Sequence, residues 1–233
     1  MNLAVIPARG GSKRIPRKNV RAFAGKPIIV WSIEAAFHSG VFDRVVVSTD
    51  DEEIADVGRA AGAEVPFTRP AELADDHTGT RAVMAHAVAA LTVAEPSTTI
   101  VCCLYPTAPF VAADDLRSAV DLLRTDADTD VVMTVAAFAS PIWRALVLDG
   151  DRLRRALPGY AGARSQDLPP AYFDVGQFYM ARSEVWLDPG RRFVTGAVPI
   201  VVPAERAIDI NTAADWAHAE RTFRALGLAA RRS

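Results

Sequence analysis

An α/β fold with a doubly wound, mostly parallel sheet is the architecture this sequence predicts. Three observations carry it. Apolar runs too short for helices recur at 3–6, 42–48, 99–104 and 131–137, and near-continuous apolarity marks strands covered on both faces. Stretches with apolar residues at helical spacing separate them, giving the alternation that builds parallel sheets. A glycine-rich basic loop follows the first run at once, at the strand end where open α/β sheets hold ligands.

The elements follow in order. Leu3 to Ile6 is a strand that breaks at Pro7. The turn Phe23 to Pro27 precedes a helix from Ile28 to Ser39, with Ile29, Ile33, Ala36 and Phe37 on its apolar side and Gly40 as its stop. Phe42 to Ser48 is the second strand. Thr49 is the expected cap of the next helix, whose opening carboxylates suit its positive end, and that helix ends near Gly62. Ala63 to Phe67 reads as a third short strand. After the polar loop from Arg69 to Thr80 come a helix over Arg81–Leu91, a central strand over Thr99–Leu104, the loop Tyr105–Pro109, a helix over Asp114–Thr125 and a strand over Val131–Ala137. The rhythm then stops. Residues 140–171 read as an insertion containing a hairpin that turns at Asp149-Gly150-Asp151, an arm that could pack on a second subunit. Strands over Phe173–Ala181 and Ala197–Pro203 resume the pattern. Thr212 with Asp215 resembles a capping box for a last helix ending near Leu226.

The 233 residues, half of them hydrophobic, suffice for one domain spanning 1–233 with 140–171 as its inserted arm. The formal charge is −2 and no tail of one sign exists, which argues against a nucleic-acid partner. No apolar run approaches the roughly 20 residues of a membrane span, and Met1–Ile6 is too short for a signal peptide, so a cytoplasmic location is expected. The adjacent Cys102 and Cys103 read as buried small hydrophobes.

Against that near-neutral background, Arg9, Lys13, Arg14, Arg17 and Lys18 crowd one loop around Gly10, Gly11 and Ser12. Adjacent glycines let several N–H groups aim at one anion, so the loop is read as a polyphosphate grip with Arg9 and Lys13 as its leading ligands. Arg14 and Arg17 are either solvated or reach a second anionic substrate. Asn19 either bonds a base or ribose, or caps the following turn. Arg69 either reads a base carbonyl or makes a surface ion pair. Thr78 and Thr80 are weak signals alone, and His77, beside Asp75 and Asp76, reads as solvated. Asp209 and Asn211 are two apart at an expected strand end and, if extended, project to one side; they either ligate magnesium, which needs only one or two protein ligands beside phosphates, or form a structural turn.

Taken together, IPARGGSKRIPRKN, VSTDDEEIA, EVPFTRPAEL, YPTAP, ARSQD, DVGQFYM and DIN resemble the sialic-acid cytidylyltransferases, and within them the pseudaminic acid branch. The likeness runs along nearly the whole chain. It implies a Rossmann-like nucleotidyltransferase fold and transfer of CMP from CTP to the anomeric hydroxyl of a nine-carbon 2-keto sugar acid, with release of pyrophosphate, in a homodimer. By this resemblance Arg9, Gly10, Gly11, Ser12 and Lys13 hold the triphosphate, and Asn19, Arg69, Thr78 and Thr80 contact cytidine. Tyr105, Arg164, Gln166, Asp174, Gln177 and Tyr179 line the sugar-acid pocket, and Asp209 and Asn211 fall on the metal-binding pair. Two departures stand out. The family commonly has Asp-Ile-Asp where this chain has Asp209-Ile210-Asn211, which raises the alternative of a CTP-binding protein with impaired turnover. Tyr105 replaces a glutamine typical of the neuraminic acid enzymes. Legionaminic, N-acetylneuraminic and octulosonic acids are the rival substrates.

Overall fold

The structure, a computed structural model, describes residues 1–75, 77–92, 100–191 and 193–229. In chain order the strands are β1 (Asn2–Pro7), β2 (Ala22–Phe23), β3 (Lys26–Pro27), β4 (Arg44–Ser48), β5 (Ile100–Leu104), β6 (Val131–Ala137), β7 (Leu146–Asp149), β8 (Arg152–Arg155), β9 (Tyr172–Arg182) and β10 (Val198–Val201). The helices are α1 (Ile28–Ser39), α2 (Glu52–Ala60), α3 (Thr80–Thr92), α4 (Ala113–Thr125), α5 (Ser183–Leu187) and α6 (Ala213–Ala225). Six strands form one sheet in the order β10-β6-β9-β5-β1-β4. β1 pairs in parallel with both β4 and β5, and β10 with β6, while β9 runs antiparallel to both its neighbours. The expected mixed, mostly parallel sheet is therefore present.

The unbroken apolar runs have a simple cause. Along β1, Ala4 and Ile6 face one core with α1 and α4, while Leu3 and Val5 face a second core with α3 and α5. β5 divides the same way, Cys102 and Leu104 against Val101 and Cys103. Each strand has two buried faces, so no in–out alternation survives. Both cysteines are fully buried and unpaired by disulfide, and burial pushes both thiols up. A third cluster lies beyond the sheet. It gathers Ile15 of the basic loop, Phe23, Trp31, Ile210 and Phe223, with the Trp31 and Phe223 rings 4.7 Å apart.

Three local expectations are corrected. Residues 63–67 form no strand: Glu64 and Thr68 make isolated bridges to Val46 and Thr49, and Pro66, which has no N–H, lies between them. The cap of α2 is Asp51, which accepts from the Ile54 N–H at 3.0 Å, while the Thr49 hydroxyl accepts from the Asp51 N–H. Residues 207–211 are irregular, so Asp209 and Asn211 sit on a loop rather than a strand end. Thr99, the expected first residue of β5, lies outside the described residues. The hairpin in 140–171 does form, as a separate β7–β8 ribbon that turns at Gly150 with φ 64°, and Thr212 with Asp215 makes the expected capping box of α6. Among the described residues no helix is long and apolar enough to cross a membrane.

Candidate active site

The basic loop leaves β1 at Pro7 and crosses the carboxyl ends of β1 and β4. Its backbone is held at several points. Ala8 N–H donates to Ser48 O at 3.0 Å, and Ser12 N–H to Gly10 O at 3.0 Å. The Gly10 N–H donates to Asp50 Oδ1 at 3.2 Å, so a carboxylate already occupies one of the donors expected to face an anion. Asn19 is buried and donates from Nδ2 to Arg9 O at 3.0 Å, tying the loop's end back to its start. A cavity of about 440 Å³ opens above, lined by Arg9, Lys13, Arg14, Lys18, Asn19 and Asn211 among others. Four of the five loop cations thus face one crevice. The fifth, Arg17, turns away to Asp51 and Glu53.

Arg69 makes no surface ion pair. It is 4 % exposed and donates to Ser48 Oγ at 3.3 Å, to Ala8 O at 3.4 Å and to Ser48 O. Burial pushes its guanidinium down to about 10, opposed by Asp50. It braces two strand ends while lining a recess of about 190 Å³ with Arg9, Asp75, Thr78 and Thr80. Thr78 is fixed there by its N–H to Asp75 Oδ1 at 2.6 Å and its hydroxyl to Glu72 O at 3.1 Å. Arg9 reaches across to Asp75 O at 2.6 Å. His77 is exposed, as expected.

Tyr105 stands at the junction of these spaces. It lines both cavities above, a third of about 400 Å³ and an aromatic one of about 240 Å³. Its hydroxyl shares a hydrogen bond with Thr80 Oγ1 at 2.9 Å, and burial pushes the phenol up to about 12. Tyr179, edge-on to it with ring centroids 5.9 Å apart, donates to Asp174 and is raised by burial and by that carboxylate. Both phenols are therefore neutral near pH 7. Asp174 also accepts from the Gly176 N–H at 2.8 Å. Gln177 is buried; its Nε2 donates to Arg206 O at 2.6 Å, while its Oε1 has no partner.

The third cavity brings Asp174 and Gln177 together with Arg14, Lys18, Asp209 and Asn211. Asn211 donates its side-chain amide to Asp209, so the two side chains do share one side. Lys18 donates to the Ile210 carbonyl between them. Among the described residues no group of three or more acidic, histidine or cysteine side chains is arranged to hold a metal ion. An exposed carboxylate beside an amide nevertheless fits magnesium, which is content with two protein oxygens and completes its shell with water and phosphate. Turning the Asn211 amide over would present its oxygen.

A glycine-rich basic loop opposite one acidic loop, across a crevice at strand ends, is an arrangement for nucleotide chemistry, and comparison with known proteins names it. The family model described as cytidylyltransferase matches residues 3–141. The chain belongs to the cytidylyltransferase family. It is 40% identical to the pseudaminic acid cytidylyltransferase of Campylobacter jejuni over 96% of both chains, and 33% identical to the CMP-N,N'-diacetyllegionaminic acid synthase of Legionella pneumophila over 94% of both. By shape it is similar to a CMP:2-keto-3-deoxy-manno-octonic acid synthetase complexed with CTP, with a TM-score of 0.71 and 19% identity over 97% of this chain and 99% of that one. Such low identity speaks for the fold alone.

Four expected site residues of this cytidylyltransferase do not line the crevice: Gly10 and Gly11, whose loop borders it, and Arg164 and Gln166. Arg164 is exposed on the 140–171 segment and pairs with Asp167 at 2.7 Å, and Gln166 beside it is exposed too. Neither lines any of the four cavities. Residues that the sequence reading left unassigned do line them: Lys18, Asp75, Thr107, and, in the aromatic recess, Arg81, Trp186 and Phe193. Lys18 carried a readable signal, standing next to Asn19 in the loop. Phe193 carried none, because it reaches the site through tertiary packing of its ring against Trp186 and Tyr179, 4.4 and 6.2 Å between centroids.

Proposed function

We propose that this cytidylyltransferase joins CMP from CTP to the anomeric hydroxyl of pseudaminic acid, releasing pyrophosphate. The observation that carries the reading is the single crevice in which four loop cations face the Asp209–Asn211 loop, with Tyr105 at its centre. The hydroxyl oxygen bonds to the α-phosphorus as the bond from that phosphorus to the α,β-bridging oxygen breaks, and the hydroxyl proton passes to solvent. Arg9 and Lys13 offset the charge that builds on the departing pyrophosphate. Asn19, Arg69, Thr78 and Thr80 border the space assigned to cytidine. Asp209 and Asn211 would hold magnesium, which supplies further neutralisation of phosphate charge.

The sugar acid is assigned to the side of Tyr105 that carries Asp174, Gln177 and Tyr179. The adjoining aromatic recess, walled by Trp186 and Phe193, suits an apolar substituent on that sugar. Arg164 and Gln166 reach a sugar acid only if the 140–171 arm meets a second copy of the chain. Its exposed face favours that. Leu148 and Leu153 are paired across the ribbon and are 71% and 67% exposed, with Leu146 two residues along. An isolated two-stranded ribbon is marginal by itself and gains from being covered. A homodimer working in the cytoplasm, where CTP is made, completes the reading.

The test is pyrophosphate release from CTP and magnesium with pseudaminic acid and N-acetylneuraminic acid in parallel. Release with pseudaminic acid alone is expected. Release only with the other acid would keep the chemistry and overturn the substrate and the reading of Tyr105.

A further inference from the structure

Arg17 is the one loop cation that does not line the crevice, and its surroundings are too specific for a solvated side chain. Its guanidinium grips Asp51 with two bonds, Nη1 to Oδ2 at 2.5 Å and Nη2 to Oδ1 at 2.9 Å, and also reaches Glu53. Its backbone is left-handed, with φ 53°, a conformation that a long side chain adopts only when its surroundings impose it. Its carbonyl accepts from the Val20 and Arg21 N–H groups at 3.1 and 2.9 Å, so the strained residue is also the corner where the loop turns back.

Asp51 meets the loop a second time. A Cβ placed on Gly10 would lie 2.5 Å from Asp51 Oδ2, so the loop's first glycine rests directly against the same carboxylate. The third engagement of Asp51 is the cap of α2, through the Ile54 N–H at 3.0 Å. One carboxylate thus touches the start of the loop at Gly10, its end at Arg17 and the first turn of a helix rooted in the core. We propose that Asp51 and Arg17 are positioning residues that close the phosphate loop into a ring, so that Arg9, Lys13, Arg14 and Lys18 converge on the triphosphate without either clamp residue touching it.

The pair is partly exposed, 41% and 20% for the two side chains, and exposed ion pairs add little to global stability. Its value is directional: a two-point grip fixes the angle of the Arg17 corner, and a cationic loop without that grip would splay under its own repulsion. The Arg17 guanidinium, against the smaller opposing effect of burial and with help from the helix N–H, holds the Asp51 carboxyl below its ordinary value, so it stays ionised as the clamp needs.

The proposal rests on the assignment of this loop to the CTP triphosphate, and two readouts separate them. Asp51→Asn keeps a competent helix cap and Arg17→Gln keeps most of the side-chain length; each removes the ion pair. In ligand-free protein, tryptic cleavage after Lys13 and Arg14 is expected to quicken at least fivefold in either variant, with the melting temperature nearly unchanged. In turnover, KM for CTP is expected to rise about tenfold with kcat changed much less, and the double variant to be no worse than the single ones. Cleavage rates equal to wild type, or single effects that multiply in the double variant, would overturn the clamp. Faster cleavage in an enzyme that never turns over CTP would support the clamp and sink the nucleotide assignment instead. Should Asp51→Asn fail to fold, Arg17→Gln, which leaves the helix cap alone, gives the same two readouts.

Discussion

The phosphate loop and the 140–171 arm are both irregular, polar stretches, yet the structure treats them in opposite ways. The loop is held at every few residues. Asn19 ties it to its own start, Arg69 braces the strands beneath it, Asp51 clamps its corner, and Ile15 sinks into a cluster that also holds Ile210. The arm has a ribbon of four residues per strand, a Trp143 side chain bonded to Pro169 O at 2.8 Å, and leucines that face outward. The contrast teaches where a single chain is self-sufficient. On the proposed reading, the cations assigned to phosphate converge within one copy of the chain. Of the residues assigned to the sugar acid, Arg164 and Gln166 stand on the exposed arm, outside the crevice.

The sharpest way to break this comparison is through the loop. Lys13→Ala is expected to lower kcat/KM for CTP about 100-fold, roughly 3 kcal/mol, the upper range for a charge-assisted hydrogen bond. An unchanged value in steady-state kinetics would remove Lys13 from the phosphate site. On the arm, Leu148→Asp is expected to convert a dimer to monomer in sedimentation and to raise KM for the sugar acid roughly tenfold, about 1.4 kcal/mol, while CTP binding stays intact. A monomeric wild type, or a variant that remains dimeric, would show that the arm does not mediate assembly.

Tyr105→Phe is the next smaller effect. It removes a neutral hydrogen bond to Thr80, about 1 kcal/mol, so a roughly fivefold fall in kcat/KM for the sugar acid is expected. It should also change the alkaline behaviour. The Tyr105 phenol is raised from its ordinary value near 10 to about 12 by burial. A raised acid contributes stability that is fully present below pH 10 and is lost as pH climbs through about 12. The thermal midpoint of the native protein should therefore fall across that window, and more shallowly in the variant; parallel slopes would contradict the burial argument. Smallest of all, Asn211→Asp should tighten magnesium by a few-fold in a metal titration of turnover. No change would mean that the amide oxygen already serves as well as a carboxylate.

Much of this molecule was legible before its structure. The span of α1, the residues of β6, the hairpin turn at Gly150 and the Thr212–Asp215 box follow local rules: a helix stop at glycine, two-faced apolar strands, a capping motif. Where local rules met tertiary competition they failed. Residues 63–67 look like a strand, but they lie along the sheet edge at β4 and bridge to it only through Glu64 and Val46. Thr49 looks like a cap, but Asp51, two residues on, reaches the helix N–H groups.

The site divided in the same way. By itself the sequence determined that a basic, glycine-rich loop would end the first strand, because composition and spacing need no partner to be read. Asp209 and Asn211 do share one side, but through a side-chain hydrogen bond in an irregular loop and not through the strand alternation that was the reason to expect it. Only the tertiary structure decided which loop cations face the crevice, that Arg69 is a buried brace, and that Tyr105 joins four cavities. Those outcomes depend on contacts between residues far apart in sequence, such as Arg69 with Ala8 and Ser48, Lys18 with Ile210 and Tyr105 with Thr80. A charged or phenolic side chain can satisfy its hydrogen bonds in many surroundings, so its role is fixed only when packing removes all but one of them.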